Sequence, residues 1–430
     1  MTYSMQNPFV KLLISYHSVI LIAFLTAPFS SCNLLSDDKA VVTPLAPKDK
    51  WKEYFEEVPP MNNPRNGGQP ILLPNGSVMI VGGYMDNISL QNSAVFCEIY
   101  NPVSKTWTTT NWSFDLKGYG LYNIGTGGVR MNSKFNLFTL PNGKIIIGGG
   151  LSAKGIVKGF YELNPNDPNP TNLKFYPINI TGDISFIAPS GMGYLDDGSV
   201  IAMGGDQLVN VKNGVSKVYK QTSNLSRGTM IPMGGRTFII YNDYSIWYFD
   251  LDLDDRGYYI LGLQDWHNQG FLENFGVKTG DSTFMVGSGF STKAFANAYI
   301  QRPPTIIDIH KKLRSGSGKN HIPDKRLCFS DPTIDCFKGA TGYIKLKGGR
   351  FYLFIDDETR IYDPIANSAV PGYTYDPIEK KHYNVPQYLS FEYGYEGVEL
   401  PSGDLFVAAI KYDIVDRRHP ETTYYIVKKR

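Results

Sequence analysis

The chain has 430 residues, of which 42% are hydrophobic and 19% are charged, and its formal net charge at pH 7 is +2. A chain of this length can bury a sizeable core, whereas its near-neutral charge gives no electrostatic basis for binding nucleic acid. The sequence shows no phosphate-binding glycine loop and no zinc-spaced Cys/His cluster. We therefore predict neither a cofactor nor a metal.

Residues 1–32 have the order of a secretory signal. Lys11 precedes a largely apolar run over 12–29, and small residues then lead to Cys32. This segment resembles a bacterial lipoprotein signal, which implies that Cys32 is diacylated and anchors the chain in the cell envelope. An ordinary cleaved signal or an uncleaved anchor is the alternative, because about 18 apolar residues can just span a bilayer. The sequence does not predict which membrane leaflet carries the anchor.

Residues 33–50 are polar and contain proline, which is typical of a flexible tether. The folded domain is predicted to occupy residues 51–430. Trp51 opens it.

A turn, a strand and a double glycine follow one another from residue 74 to residue 83. Asn75-Gly76 predicts a type I′ hairpin turn, in which both residues need positive φ. The run over 77–81 is apolar and β-branched, which is typical of a strand buried on both faces. Tyr100 and Trp107 follow and can pack between neighbouring sheets.

This unit of turn and strand recurs along the chain. Further copies begin at Leu140, Asp196, Gly234, Gly280, Gly348 and Ser402. A spacing of roughly 40–70 residues is typical of propeller blades with loop insertions. We therefore predict an all-β propeller of seven four-stranded blades, with six blades as the alternative.

The first unit resembles the kelch repeat family. The family pattern is a buried strand ending in Gly-Gly, then a Tyr, then a Trp, and here Gly82, Gly83, Tyr100 and Trp107 match it. Tyr161 and Tyr219 are assigned as the corresponding tyrosines of the next two units. The resemblance implies a kelch-like propeller similar to the central domain of galactose oxidase. It covers residues 50–430 and is specific in the first third.

The last unit is predicted to have only three strands, over 396–400, 404–410 and 422–428. Residues 51–58 can supply its fourth strand, so that the two chain ends close the ring. Closure of this kind removes open sheet edges.

The longest insertion, over residues 302–338, is predicted to be a mobile surface loop. Cys328 and Cys336 lie within it, and in an exported protein two nearby cysteines favour a disulfide. Cys97 falls in a strand and is predicted to be a buried, inert side chain.

Three arginines precede the inner strands of their units: Arg65, Arg130 and Arg227. If they face one cavity, they suit a carboxylate or an acidic sugar, since a guanidinium binds a carboxylate bidentately. Pairing with acidic neighbours is the alternative. Glu392 and Tyr393, in the entry to the last blade, complete the predicted ligand set.

These features predict a lipid-anchored binding or interaction module, whose ligand is a protein or a carbohydrate held at the propeller mouth or loop face. One alternative is an epimerase or mutarotase of an acidic sugar, for which Glu392 or Glu396 could supply acid–base chemistry. Another is an adhesin-like attachment protein. A galactose-oxidase-like copper site is not predicted, because His267, His310, His321, His382 and His419 are not at ligand spacing.

Overall fold

The structure is a computed structural model that divides the chain into two compact units, Met1–Lys48 and Asp49–Arg430. The predicted signal, with Cys32, and nearly all of the predicted tether lie outside the residues that it describes. These are residues 50–65, 68–83, 97–111, 123–125, 128–130, 136–148, 151–152, 155–156, 159–167, 169–179, 181, 191–204, 207–220, 229–241, 245–252, 258–262, 271–291, 302–309, 325–326, 340–355, 358–383, 393–411 and 421–430.

The described residues form short strands and three single 3-10 turns, at Lys50–Glu53, Pro170–Asn172 and Lys347–Gly349. The strands are β1 (Phe55–Glu57), β2 (Gln69–Leu72), β3 (Val78–Val81), β4 (Glu98–Asn101), β5 (Thr106–Thr109), β6 (Asn123–Gly125), β7 (Gly128–Arg130), β8 (Asn136–Thr139), β9 (Ile145–Gly148), β10 (Leu151–Ser152), β11 (Gly155–Ile156) and β12 (Phe160–Leu163). They continue as β13 (Phe175–Pro177), β14 (Gly191–Tyr194), β15 (Val200–Gly204), β16 (Gln207–Lys212), β17 (Val215–Lys220), β18 (Thr229–Gly234), β19 (Thr237–Tyr241), β20 (Ser245–Asp250), β21 (Tyr258–Gly262), β22 (Phe271–Lys278) and β23 (Thr283–Ser291). The last are β24 (Arg302–Asp308), β25 (Lys325–Arg326), β26 (Ala340–Lys345), β27 (Phe351–Ile355), β28 (Glu358–Asp363), β29 (Ser368–Pro371), β30 (Tyr375–Asp376), β31 (Lys381–His382), β32 (Tyr393–Glu399), β33 (Leu405–Lys411) and β34 (Glu421–Val427). Within this described part, no helix is long and apolar enough to cross a membrane.

The described strands form seven four-stranded antiparallel blades, numbered here in chain order. From the inner strand outward they are β2-β3-β4-β5, β8-β9-β12-β13, β14-β15-β16-β17, β18-β19-β20-β21, β22-β23-β24-β25, β26-β27-β28-β29 and β32-β33-β34-β1. Each blade contacts the next, and β2 of blade 1 contacts β32 of blade 7. The ring is therefore closed, and the prediction of seven blades is confirmed.

The second strand of each blade is apolar because both of its faces are covered. In β27, Phe351 and Leu353 pack against blade 5, whereas Tyr352 and Phe354 pack against blade 7. Successive side chains of a strand point to opposite faces of the sheet, so every residue of such a strand must be apolar. This explains the recurring run that defines the sequence unit.

The turn between the first and second strands has the same hydrogen bonds in five blades. In blade 1 the amide of Gly76 donates to Leu73 O (2.9 Å) and the amide of Leu73 donates to Ser77 O (2.8 Å). The pair recurs at residues 140–144, 195–199, 346–350 and 400–404. Among residues 74–77 only Gly76 has positive φ, at +84°. The predicted type I′ turn is therefore wrong, and a type I turn followed by a left-handed glycine forms, because Pro74 fixes its own φ near about −65°.

The strand directions give the ring two different faces. In an up-and-down antiparallel sheet, the first and third connections lie at one end and the second at the other. We call the end with the tight first connections the turn face. The opposite end, the loop face, carries the second connections and the segments that link one blade to the next.

The chain termini close the ring as predicted. Strand β1 pairs with β34 in antiparallel register, with Phe55 opposite Val427 and Glu57 opposite Tyr425. The amide of Val58 donates to Tyr424 O (3.0 Å), which extends the pairing beyond the strand. The last blade thus takes its outer strand from the start of the unit Asp49–Arg430.

Two other sequence assignments change. Residues 302–308, predicted to belong to a mobile loop, form β24, the third strand of blade 5. Tyr219 lies in the fourth strand of its blade, whereas Tyr100 and Tyr161 lie in third strands, so it is not their counterpart. Cys328 and Cys336 lie outside the described residues, and their disulfide stays a prediction.

We expect Phe55→Ala to destabilise the domain by about 3–5 kcal/mol, because a buried Phe side chain is lost from the closing strand. Phe55 is 3% exposed and its ring lies edge-on to that of Tyr425, with centroids 6.3 Å apart. Urea denaturation measures the loss. The control is Glu57→Ala, an exposed position of the same strand, which should change stability by well under 1 kcal/mol. Equal stability of the two variants would show that β1 does not hold the ring.

Candidate functional site

A polar cluster, buried except for the partly exposed Glu396, lies at the boundary between blades 1 and 7, near the loop face. Its members are Arg65, Cys97, Glu98, Glu396 and Tyr424, and we call it the seam cluster. Arg65 precedes β2, Cys97 and Glu98 stand at the start of β4, and the other two lie on blade 7. Between these blades, toward the turn face, the aromatic rings of Tyr100, Trp107 and Phe406 pack together with centroids 5.1–6.4 Å apart.

The guanidinium of Arg65 is enclosed by its own blade. Its side chain is 0% exposed, its Nε donates to Asn63 O (3.3 Å), and its Nη1 donates to Gly82 O (3.4 Å). Nη2 lies 3.8 Å from Oε1 of Glu98, an ion-pair distance. Burial lowers the pKa of Arg65, and the neighbouring Cys97 and Glu98 oppose this effect. The Arg65 side chain therefore links Gly82, at the end of the second strand, to Glu98 in the third strand of blade 1.

Glu98 is the acceptor that organises the segment leading into blade 1. Its Oε1 accepts hydrogen bonds from the amide and the side-chain nitrogen of Asn63, both 2.6 Å, and its Oε2 accepts one from the amide of Asn62 (3.0 Å). The carboxylate is fully buried and shared between these donors and Arg65. Charged hydrogen bonds of this kind are stronger than neutral ones and fix the geometry of the loop.

Two ionisable groups of the cluster are held in their neutral forms. Burial raises the pKa of the Cys97 thiol to about 12, although Arg65 acts in the opposite direction. Burial also raises the pKa of Tyr424, and Glu396 raises it further while Arg65 opposes both. Within the part of the chain that the structure describes, the buried Tyr424 hydroxyl has no hydrogen-bond partner.

Glu396 and Tyr424 share one face of blade 7. Glu396 is opposite Ala408, and Ala408 is opposite Tyr424, so these three side chains point to the same side of the sheet. That side packs against blade 1. The structure thus brings Arg65 and Glu396, both singled out from the sequence, to the same tyrosine.

The other predicted ligand residues are located only in part. Arg130 is the last residue of β7 and Tyr393 the first of β32, while Arg227 and Glu392 lie outside the described residues. Arg65 is engaged inside the protein, as the alternative interpretation of the sequence expected. Its role in ligand binding stays a prediction.

Sequence reasoning missed Glu98 and Tyr424. Glu98 stands two residues before Tyr100, so its position in the third strand could have been inferred from that tyrosine. No sequence signal pointed to Tyr424, because its place in the cluster depends on how β34 pairs with β33 in the last blade. Among the described residues, no group of three or more His, Cys, Asp or Glu is placed to hold a metal ion.

Comparison with known proteins supports the fold and goes no further. No family model matches the sequence, and no curated protein matches it. A fungal alcohol oxidase of the AA5 family, in complex with copper, is 9% identical, with 87% of this chain and 75% of that chain covered and a TM-score of 0.55. At this identity the likeness shows a shared propeller fold alone.

Two further solved structures have lower TM-scores. Virginiamycin B lyase from Staphylococcus aureus is 10% identical over 87% of this chain and 98% of its own, with a TM-score of 0.43. A protein of unknown function from Dyadobacter fermentans is 12% identical over 87% of this chain and 98% of its own, with a TM-score of 0.42. Both TM-scores are too low to support an argument about activity.

Removing the carboxylate of the seam cluster should be costly. We expect Glu98→Ala to lower stability by about 3–5 kcal/mol in urea denaturation, because the buried charge of Arg65 loses the carboxylate with which it is paired. The matched control is Glu162→Ala, which breaks the half-exposed pair of Lys144 and Glu162 (3.0 Å) and should lose less than about 1 kcal/mol. Similar losses in both variants would contradict a buried ion pair.

Proposed function

We propose that the chain is an envelope-anchored binding module that takes its ligand at the loop face. The observation that carries this proposal is the difference between the two faces. At the turn face, five blades use the same tight turn. The connections between blades start and end at the loop face and are longer: β5 ends at Thr109 and β8 begins at Asn136, while β13 ends at Pro177 and β14 begins at Gly191. Long connections on a rigid scaffold are where proteins concentrate binding residues.

The position at which the chain enters the propeller also supports a ligand site at the loop face. Lys50 precedes β1, and β1 starts beside Val427, at the turn-face end of β34. A tether from a lipidated Cys32 would therefore reach the domain on the turn-face side. The loop face would be left open to a ligand.

The proposed ligand is a carbohydrate or a protein. Arg130 lies in the hairpin of β6 and β7, inside one of the long loop-face segments. A guanidinium there suits a carboxylate, whether on an acidic sugar or on a protein side chain. Isomerisation of an acidic sugar is the second candidate function, because Glu396 shares one face of blade 7 with Tyr424 and could supply acid–base chemistry if a substrate reached them.

The ligand proposal can be tested by a thermal-shift screen of the unit Asp49–Arg430 against acidic sugars, neutral sugars and acidic peptides. A ligand at 100 times its dissociation constant adds about 2.7 kcal/mol of stability, which is easily detected. We expect a shift with an acidic ligand that Arg130→Ala abolishes. Lys144→Ala removes a cation from the turn face and should leave the shift unchanged.

The outcomes separate the candidates. A shift lost equally in both variants would indicate general attraction to positive charge and would contradict a loop-face site. A shift accompanied by interconversion of the sugar would favour the isomerase. No shift with any sugar or peptide would remove the support for an acidic ligand.

The anchor has its own test. Cys32→Ser in the full chain should abolish incorporation of labelled fatty acid, because the thiol that would be acylated is gone. Cys97→Ser is the control and should keep full labelling, since Cys97 is buried. Unchanged labelling in Cys32→Ser would show that the chain is not a lipoprotein acylated at this residue.

A further inference from the structure

Among the Asn and Asp turns of the described residues, five lie after a third strand or at the tip of the β30–β31 hairpin. In each, the side chain of an Asn or Asp accepts a hydrogen bond from the amide two residues later, at 2.8–3.2 Å. Four of them follow the third strand of a blade, and the fifth is the tip of the β30–β31 hairpin. The residues that donate are Val103, Asn166, Asp252, Ile365 and Ile378.

All five donor residues are exposed, but some have polar side chains and others have aliphatic ones. Blades 2 and 4 carry Asn166 and Asp252. Blades 1 and 6 and the hairpin carry Val103, Ile365 and Ile378, which are 90%, 91% and 87% exposed. The turn accepts a polar residue here, so the fold does not require the three aliphatic side chains. We call these three residues the aliphatic tips.

The aliphatic tips occupy consecutive sectors on one side of the ring. Blades 6, 7 and 1 are neighbours, and the turns of blades 1 and 6 both lie toward the turn face. Blade 7 has no such turn, because its outer strand is β1. The hairpin takes that place: Asp376, two residues before Ile378, binds Lys50 at 2.7 Å, just ahead of β1.

From this arrangement we propose that the aliphatic tips dock the turn-face rim of blades 6, 7 and 1 onto a lipid surface. The proposal rests on anchoring of the chain through its N-terminus. Lys50, the first described residue, is bound to Asp376 close to Ile378, so an anchored domain would hold these tips near the bilayer. Exposed aliphatic side chains enter the boundary between headgroups and acyl chains, as the apolar face of an interfacial helix does.

Cations next to two of the tips fit the same surface. Lys105 follows Val103 in its turn, and Lys380 follows Ile378. Both are exposed; Lys105 is paired with Glu56, whereas the ammonium group of Lys380 can reach a lipid phosphate while the aliphatic side chains enter below. Three tips give only weak adsorption by themselves, so the tether and the tips would act together, as two weak membrane signals do.

The test is co-sedimentation of the unit Asp49–Arg430 with sucrose-loaded vesicles of phosphatidylcholine and phosphatidylglycerol. This unit contains every strand of the ring, including the closing strand, and lacks Cys32, so the result does not depend on acylation or on a loop-face ligand. We compare the original unit with the triple variant Val103→Asn, Ile365→Asn and Ile378→Asn. Asn166 shows that this turn accepts asparagine, so the variant is expected to fold, and its melting temperature checks this.

We expect the triple variant to lower the partition coefficient at least tenfold. The control Val215→Asn replaces a valine that is 60% exposed at the start of β17, just after the corresponding connection of blade 3, and should stay within twofold of the original. An original unit that does not sediment with vesicles would overturn the proposal, and so would equal binding by the triple variant. Self-association in sedimentation velocity that the triple variant abolishes, without vesicle binding, would assign the tips to a second copy instead.

Discussion

The ring depends on one non-covalent joint, the pairing of β1 with β34. Every other strand of a blade pairs with strands near it in the sequence, whereas this pair joins Phe55 to Val427, the two ends of the domain. Hairpins within a blade close short loops, but this pairing must close a loop as long as the whole domain. Blade formation is therefore local, and completion of the ring is the one step that needs the entire chain.

Interactions concentrate on both sides of that joint. Toward blade 1, Phe406 and Tyr424 pack on Trp107, whose indole nitrogen donates to Pro59 O (2.7 Å). Toward blade 6, the ring of Tyr54 is stacked on Tyr383, with centroids 4.8 Å apart. A strand that enters from the other end of the chain has little local structure to direct it. Its position is set by aromatic packing on either side of the sheet.

The sequence predicts features that depend on near neighbours. The second strands, their glycine turns and the missing fourth strand of the last blade all follow from local patterns, and the structure confirms them. The turn type was wrong because Pro74 and the glycine act together across the whole turn. The pairing of Arg65 with Glu98 was missed because it joins segments that only the fold brings together. Arg227 and Glu392 lie outside the described residues, so their assignments stay predictions.

The position of Lys50 has a mechanical consequence. Lys50 binds Asp376 and Glu379 of the β30–β31 hairpin, and Arg430 lies over the ring of Tyr54, with its guanidinium carbon 3.7 Å from the ring centroid. A pulling force on the chain before Lys50 reaches these contacts before it reaches the hydrogen bonds of β1. The ion pairs and the stacked rings would take the load first, which shields the closing strand of the ring from tension.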